Sequence, residues 1–288
     1  MKHHITADAV KGWLADSDSI DRDDDFLFVD VDGETVAYVL SPTYVENDGR
    51  RIYRHMCRVD PAWHGKGLGK ALLGWVVAYN TERAATLGPG TLQTTVDDND
   101  PALVGLLDAL GYRPAQHEAD LVRRDLEHIP DKRLPDGVEI RPVDESHLRV
   151  IYEADRDAFA DHWGSRPHTD SDWTEFLGFA HRDESLWKVA WAGERVVGQV
   201  RGFVNVEENE RFDRKRGWAE FISTAADWRG RGVASALICE TLRGFEQRGL
   251  EEAALGVHVE NQTGAYRLYQ NLGFEVINSS TSYERRLA

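Results

Sequence analysis

Residues 228–237 read Trp228-Arg229-Gly230-Arg231-Gly232-Val233-Ala234-Ser235-Ala236-Leu237, and residues 63–72 read Trp63-His64-Gly65-Lys66-Gly67-Leu68-Gly69-Lys70-Ala71-Leu72. Each stretch follows an apolar, strand-like run and opens an apolar, helix-like one. Roughly forty residues after each comes a second paired signal, Leu272-Gly273-Phe274 and Leu110-Gly111-Tyr112. A repeat of this length predicts two similar domains.

The chain outward from these turns fits that reading. With 288 residues, two domains can each bury a core. Apolar periodicity and turn residues predict a helix over 5–16 and strands over 26–31 and 35–45 joined at Asp32-Gly33. A strand over 52–59, a helix over 67–80, a strand over 91–96, a helix over 101–110 and a strand near 119–125 follow. The acidic run Asp21–Asp25 reads as a solvated loop. The segment Ile129-Pro130-Asp131-Lys132-Arg133-Leu134-Pro135-Asp136-Gly137 reads as a linker, placing the domains at 1–128 and 137–288. The pattern then restarts: strand 138–141, helices 146–159 and 172–179, a hairpin 186–191 and 195–204 across Gly193, strand 218–224, helix 233–247, strand 253–259, helix 264–271, and strands 274–278 and 282–287. Interleaved strands and helices with hairpins predict an α/β class, each domain a mixed, mostly antiparallel sheet flanked by helices.

Composition narrows the function. A formal charge of −16 argues against a nucleic-acid partner and tolerates a cationic acceptor. Cys57 and Cys239 fall in different halves, which excludes a disulfide framework and suits a reducing cytosol. No apolar run approaches a membrane span and the N-terminus has no apolar leader, so a cytoplasmic protein is expected. No metal site is expected.

The glycine turns admit three readings. A P-loop needs four residues between its first glycine and Gly-Lys, then Ser or Thr; only three stand between Gly65 and Gly69-Lys70, and Ala71 follows. A dinucleotide fingerprint needs G-x-G-x-x-G, whereas the copies offer Gly65-x-Gly67-x-Gly69 and Gly230-x-Gly232-x-Ala234. The third reading is a strand, then Arg/Gln-x-x-Gly-x-Gly/Ala, then a helix. Its small residues let a diphosphate approach the free N–H groups of a helix start.

This third pattern resembles the GNAT superfamily of acyl-CoA-dependent N-acyltransferases. The second half carries it most fully: Arg229-Gly230-Arg231-Gly232-Val233-Ala234, then Asn261, Ala265, Leu268-Tyr269 and Leu272-Gly273-Phe274. The resemblance implies acetyl-CoA as cosubstrate and a primary amine of a small molecule as acceptor, acetylated by direct attack. It implies that the backbone of Ile222, Ser223 and Thr224 pairs with the pantetheine arm, that Arg229, Gly230, Arg231, Gly232, Val233 and Ala234 hold the pyrophosphate, that Asn261 bonds the cofactor arm, and that Tyr269 protonates the departing thiolate. The family often has a Glu about eleven residues before the Arg. That position is Trp218 here, with Glu220 two residues on and on the same face unless a bulge intervenes. Glu220 is the candidate base and His258 a second one. The loop where the domain's first two helices meet usually walls the family's acceptor site, which makes Asp161, His162, Trp163 and Arg166 pocket candidates with Trp218 and His258. A non-enzymatic acyl-CoA-binding protein on the same scaffold is the alternative.

The first copy reads as degraded. His64 replaces the Arg, Leu107 falls where Tyr269 stands, Asn99 matches Asn261, and Tyr53 and His55 take the places of Trp218 and Glu220. Gly65, Lys66, Gly67, Leu68 and Gly69 remain a possible second CoA cradle.

Overall fold

The computed structural model describes residues 25–260 and 263–288. The expected helix over 5–16, most of the acidic run, and Asn261 lie outside the described residues. The chain forms two compact units. An N-terminal unit comprises residues 25–117, Gly164–Pro167 and Ser279–Ala288; a C-terminal unit comprises Glu118–Trp163 and His168–Asn278. The units therefore do not divide at the linker.

In the N-terminal unit, β1 (Phe26–Val31) and β2 (Glu34–Leu40) form the expected hairpin. Asp32 and Gly33 both take positive φ, 52° and 86°, as the primed turns of two-residue hairpins require. The expected strand 35–45 breaks at Ser41-Pro42, and β3 (Thr43–Val45) pairs elsewhere, with β4 (Arg51–Arg54). The expected strand 52–59 also divides, at His55, so that β4 and β5 (Met56–Val59) enter different sheets. Helix α1 (Leu68–Leu87) runs seven residues past the expected end and stops at Gly88 (φ 106°). Strand β6 (Gly90–Asp97), helix α2 (Pro101–Ala109) and strand β7 (Arg113–Arg123) complete this half of the sequence. Parallel pairing of β4 with β6 spans only Ile52–Arg54.

In the C-terminal unit, β8 (Val138–Arg141), α3 (Leu148–Phe159) and α4 (Asp170–Gly178) precede the hairpin β9 (Trp187–Ala192) and β10 (Arg195–Phe203). A short helix α5 (Val206–Arg211) follows, capped by Asn205, whose Oδ1 accepts from the Glu208 N–H. It was not expected, because its polar sequence carries no apolar period. Then come β11 (Arg216–Thr224), α6 (Val233–Gln247), β12 (Glu252–His258), α7 (Ala265–Asn271) and β13 (Glu275–Leu287). The last is one strand where two were expected.

Each unit borrows the final strand of the other repeat. Residues 118–123 of β7 pair antiparallel with β12, and residues 280–287 of β13 pair antiparallel with β6. The two strands stand at equivalent places, each after its repeat's Leu-Gly-aromatic signal. Periodicity cannot say which sheet such a strand joins.

The C-terminal core lies between the sheet and α6, whose Ala236, Leu237, Ile238, Cys239, Leu242 and Phe245 are buried. Phe245 packs flat against the backbone of Gly217, where a Cβ would meet its ring carbons at 2.7–2.8 Å. Gly217→Ala is accordingly expected to destabilise the protein by about 1–3 kcal/mol through overpacking. Gly105→Ala, on a helix with open space around it, should be neutral or stabilising by up to about 1 kcal/mol. Thermal melts of the two variants check the contrast.

Candidate active site

The site begins at β11. Its parallel partner β12 stays with it only over Arg216–Trp218, opposite Glu252–Ala254. On its other edge β11 remains paired with β10 as far as Thr224, opposite Gly198. Among the described residues, no strand pairs with the β12-facing edge of residues 220–224. The N–H of Gly256, past the point of parting, donates instead to Glu220 Oε1 at 2.9 Å.

A bulge shapes the same stretch. Gln199 faces Ser223 and Arg201 faces Glu220, so Phe221 and Ile222 oppose Val200 alone. Phe221 has φ 51°, a conformation that costs a non-glycine residue about 1–3 kcal/mol. Arg201 lies beneath its ring, 3.9 Å from the centroid, and is tied to Asp155 at 2.7 Å. Because the bulge follows Glu220, Trp218 and Glu220 share a face as alternation predicts, and Ser223 joins that face.

The glycine turn follows β11. Gly230 and Gly232 take φ 72° and 86°, and Gly65 and Gly67 take 75° and 84° in the first copy. Side chains strain to adopt such values, while the space in front of all four glycines is open. Gly232 caps α6 without any side-chain bond, so the N–H groups of Val233, Ala234 and Ser235 have no intrahelical partner. Arg229 donates from Nε to the Thr224 carbonyl (3.3 Å) and from Nη2 to the Ala158 carbonyl (2.9 Å). In the first copy His64 Nε2 lies 3.0 Å from the Val59 carbonyl, likewise five residues back. Both side chains brace the turn, which explains how His can replace Arg there. Arg231 lies over the Trp228 ring (4.8 Å) and Lys66 over Trp63 (4.4 Å), repeating the likeness.

Tyr269, on α7, is 6% exposed and packs edge-on to Phe274. Burial, and then the charge of Glu220, push its phenol well above the ordinary tyrosine range, so it stays protonated. His258 ends β12, two residues beyond Gly256. Its ring lies 4.7 Å from that of His162 and 5.5 Å from that of Trp163. Burial first, then His162, push its pKa down to about 4, and its Nδ1 is buried without a hydrogen-bond partner. Three of the predicted pocket residues, His162, Trp163 and His258, thus form one cluster. Asp161 is exposed. Arg166 belongs to the N-terminal unit, where it donates to the Pro167 carbonyl (3.4 Å). Trp218 is 8% exposed, donates from Nε1 to Glu208 (3.1 Å) and stacks on Phe203.

Two features escaped the sequence. Asp120, on the borrowed strand β7, faces Gly256 across the ladder. A side chain at Gly256 would stand 3.7 Å from Glu220 Oε1 and 3.9 Å from Asp120 Oδ1, so both carboxylates flank the parting. Phe179, His181 and Phe203 also form an aromatic run next to Phe221 and Trp218. Neither feature has a local motif.

The first copy differs where chemistry would occur. Leu107, in the place of Tyr269, is fully buried, and His55, in the place of Glu220, is 3% exposed. The His55 backbone N–H bonds the Gln93 carbonyl (2.9 Å), and its Nε2 pairs with the Tyr112 hydroxyl (2.8 Å).

A family model described as the acetyltransferase (GNAT) family matches residues 2–112 and 148–274. The chain belongs to this family. Both halves match, so it is a tandem GNAT acyltransferase, and the non-enzymatic alternative gives way. A mycothiol acetyltransferase of Salinispora tropica is 31% identical over 235 residues, covering 78% of this chain and 71% of that protein. Another, of Salinispora arenicola, is 29% identical over 292 residues, covering 98% and 81%. A GCN5-related N-acetyltransferase from Sphaerobacter thermophilus shares the fold, with TM-score 0.70, 24% identity and coverage of 97% and 85%. So does a tandem GNAT protein from the clavulanic acid biosynthesis pathway, with TM-score 0.63, 14% identity and coverage of 91% and 82%. Among the described residues no helix is long and apolar enough to cross a membrane.

The degraded GNAT copy carries its own pH signature. Burial, then Arg54, push His55 from 6.5 down to about 3. A depressed histidine pKa means that the unfolded chain binds the proton more readily. Stability from neutral His55 is therefore complete above about pH 6.5 and is lost as pH falls toward 3. His55→Gln should flatten the acid side of a stability–pH curve, removing a change on the order of a few kcal/mol between those limits.

Proposed function

We propose that the C-terminal copy transfers the acetyl group of acetyl-CoA to a primary amine of a small molecule by direct attack. The observation that carries this reading is a conjunction found on β11: an edge without a strand partner at residues 220–224 leads straight into a glycine turn with open helix N–H groups. An amide-rich arm lies along such an edge as an added strand would, and a diphosphate suits such a turn. Ile222, Ser223 and Thr224 hold the arm, and the backbone from Gly230 to Ala234 holds the diphosphate. Arg229 acts by bracing the turn. Asn261 keeps its expected role on the cofactor arm.

Tyr269 supplies the proton to the departing thiolate, a role that its raised pKa supports. Glu220 is the base, directly or through a water. Its Oε1 accepts one N–H, and a carboxylate retains further lone pairs for a substrate proton. His258 is the second candidate base. Trp163 and His162 wall the acceptor side, with Trp218 packed behind it. The tandem layout and the similarity to mycothiol acetyltransferases support a small polar amine as acceptor. Trp218 stands where that enzyme's Glu is expected, so the acceptor of this chain need not be the same. The free thiols of half-buried Cys57 (pushed up to about 12 by desolvation) and buried Cys239 (raised by burial) fit a reducing, cytoplasmic setting without an acyl-cysteine step. The first copy lacks both Tyr269 and Glu220 and does no chemistry.

Turnover with acetyl-CoA across a panel of primary amines tests the reading. Tyr269→Phe should lower kcat about a hundredfold with little change in acetyl-CoA affinity; unchanged turnover would remove the proposed acid. Glu220→Gln should abolish the acid limb of the pH–rate profile. Retention of that limb, with its loss in His258→Gln at a pKa near 4, would transfer the role to His258.

A further inference from the structure

One carboxylate is tied to three side chains that frame the bulge of β11. Asp155, on α3, accepts from Arg201 Nη2 at 2.7 Å and from Gln199 Nε2 at 3.3 Å. The Ser223 hydroxyl also bonds it. Gln199 and Ser223 face each other on one side of the bulge, and Arg201 faces Glu220 on the other. Phe221, at φ 51°, has the Arg201 guanidinium 3.9 Å from its ring centroid. Gln199 is fixed a second time by the Ile151 carbonyl (3.0 Å), one turn back along α3. Three residues beyond Asp155, the Ala158 carbonyl of the same helix accepts from Arg229 (2.9 Å). Helix α3 thus braces both the bulge and the glycine turn, the two ends of the open edge.

Stability alone does not account for this arrangement. The side chains of Arg201 and Asp155 are only 10% and 15% exposed. Burial opposes both charges, lifting the pKa of Asp155 and lowering that of Arg201. Taking two charges out of water costs about what their attraction returns, and apolar residues of similar size often serve a fold as well. Arg201 sits among the rings of Phe176, Trp187 and Phe221, surroundings that an apolar side chain would suit. Its Nε is buried without a hydrogen-bond partner. What the pair provides is direction: a planar, forked donor and a carboxylate fix the geometry of whatever they bridge. They bridge α3 to the stretch where β11 turns and its edge opens.

We infer that Asp155 is a positioning residue for the cosubstrate edge: acting through Arg201, Gln199 and Ser223, it holds the β11 bulge in the conformation that presents Ile222, Ser223 and Thr224 to the ligand and sets Glu220 beside them. The inference rests on the acetyl-CoA reading above.

Calorimetric titration of the full chain with acetyl-CoA, paired with thermal melts, tests it. Asp155→Leu/Arg201→Met removes both charges together and should melt close to the intact protein. It should nonetheless bind acetyl-CoA about tenfold more weakly, because the edge is no longer preorganised. Adding Phe221→Gly should recover at least about threefold of that loss, since glycine adopts a positive φ without strain. Arg201→Lys keeps the charge but loses the fork and the stacked plane, and should weaken binding about threefold. Native affinity in a folded double variant, or in Arg201→Lys should the double variant not fold, would overturn the inference and leave the acetyl-CoA reading in place. So would a loss that Phe221→Gly does not relieve. An intact protein that binds no acetyl-CoA would overturn that reading and the inference with it.

Discussion

The parting of β11 from β12 is the constraint on which the site depends. Three residues of parallel pairing end at Trp218 and Ala254, and beyond them two backbones need other partners. An unpaired backbone group away from water costs about as much as a lost hydrogen bond. On one side Glu220 satisfies the Gly256 N–H. On the other, the β11 edge stays open to a ligand of the right pattern. The bulge at Phe221 turns the strand as it opens, and the Arg201–Asp155 pair, set beneath the Phe221 ring, offsets its strained backbone. The carboxylate that binds the neighbouring strand is therefore also the one set beside the ligand edge.

The two repeats show what such a site needs by what one of them lacks. Both keep the glycine turn in nearly identical conformation, and both brace it through a side chain that binds a carbonyl five residues back. The first copy fills the positions of the proposed acid and base with a buried leucine and a buried histidine bonded to Tyr112. Exchange of the final strands gives the second copy something as well: Asp120, from the first repeat's sequence, stands beside Gly256.

Much of this was legible in the sequence. The glycine turns, the Asp32-Gly33 hairpin and the helices after each turn have local signatures, and local physics produces them. The role assigned to Tyr269 came from the resemblance of the whole block; the helix that carries it, ended before Gly273, was legible from its local pattern. The breaks at His55 and Ser41 were not, because apolar alternation continues across them and only pairing with different sheets reveals them. Asp120 and the grouping of Phe179, His181 and Phe203 depend on contacts between distant segments. The exchanged strands were illegible because alternation within a strand does not say which sheet it joins.

Matched substitutions in the two glycine turns locate the chemistry most directly. Gly232 and Gly67 hold φ 86° and 84°, which a β-branched residue resists. Acetyl transfer to primary amines, followed by release of the CoA thiol, is measured for Gly232→Val and Gly67→Val in the full chain. The account predicts a loss of at least about a hundredfold for Gly232→Val and a change within about twofold for Gly67→Val. Full activity in Gly232→Val, with the loss falling on Gly67→Val, would contradict it.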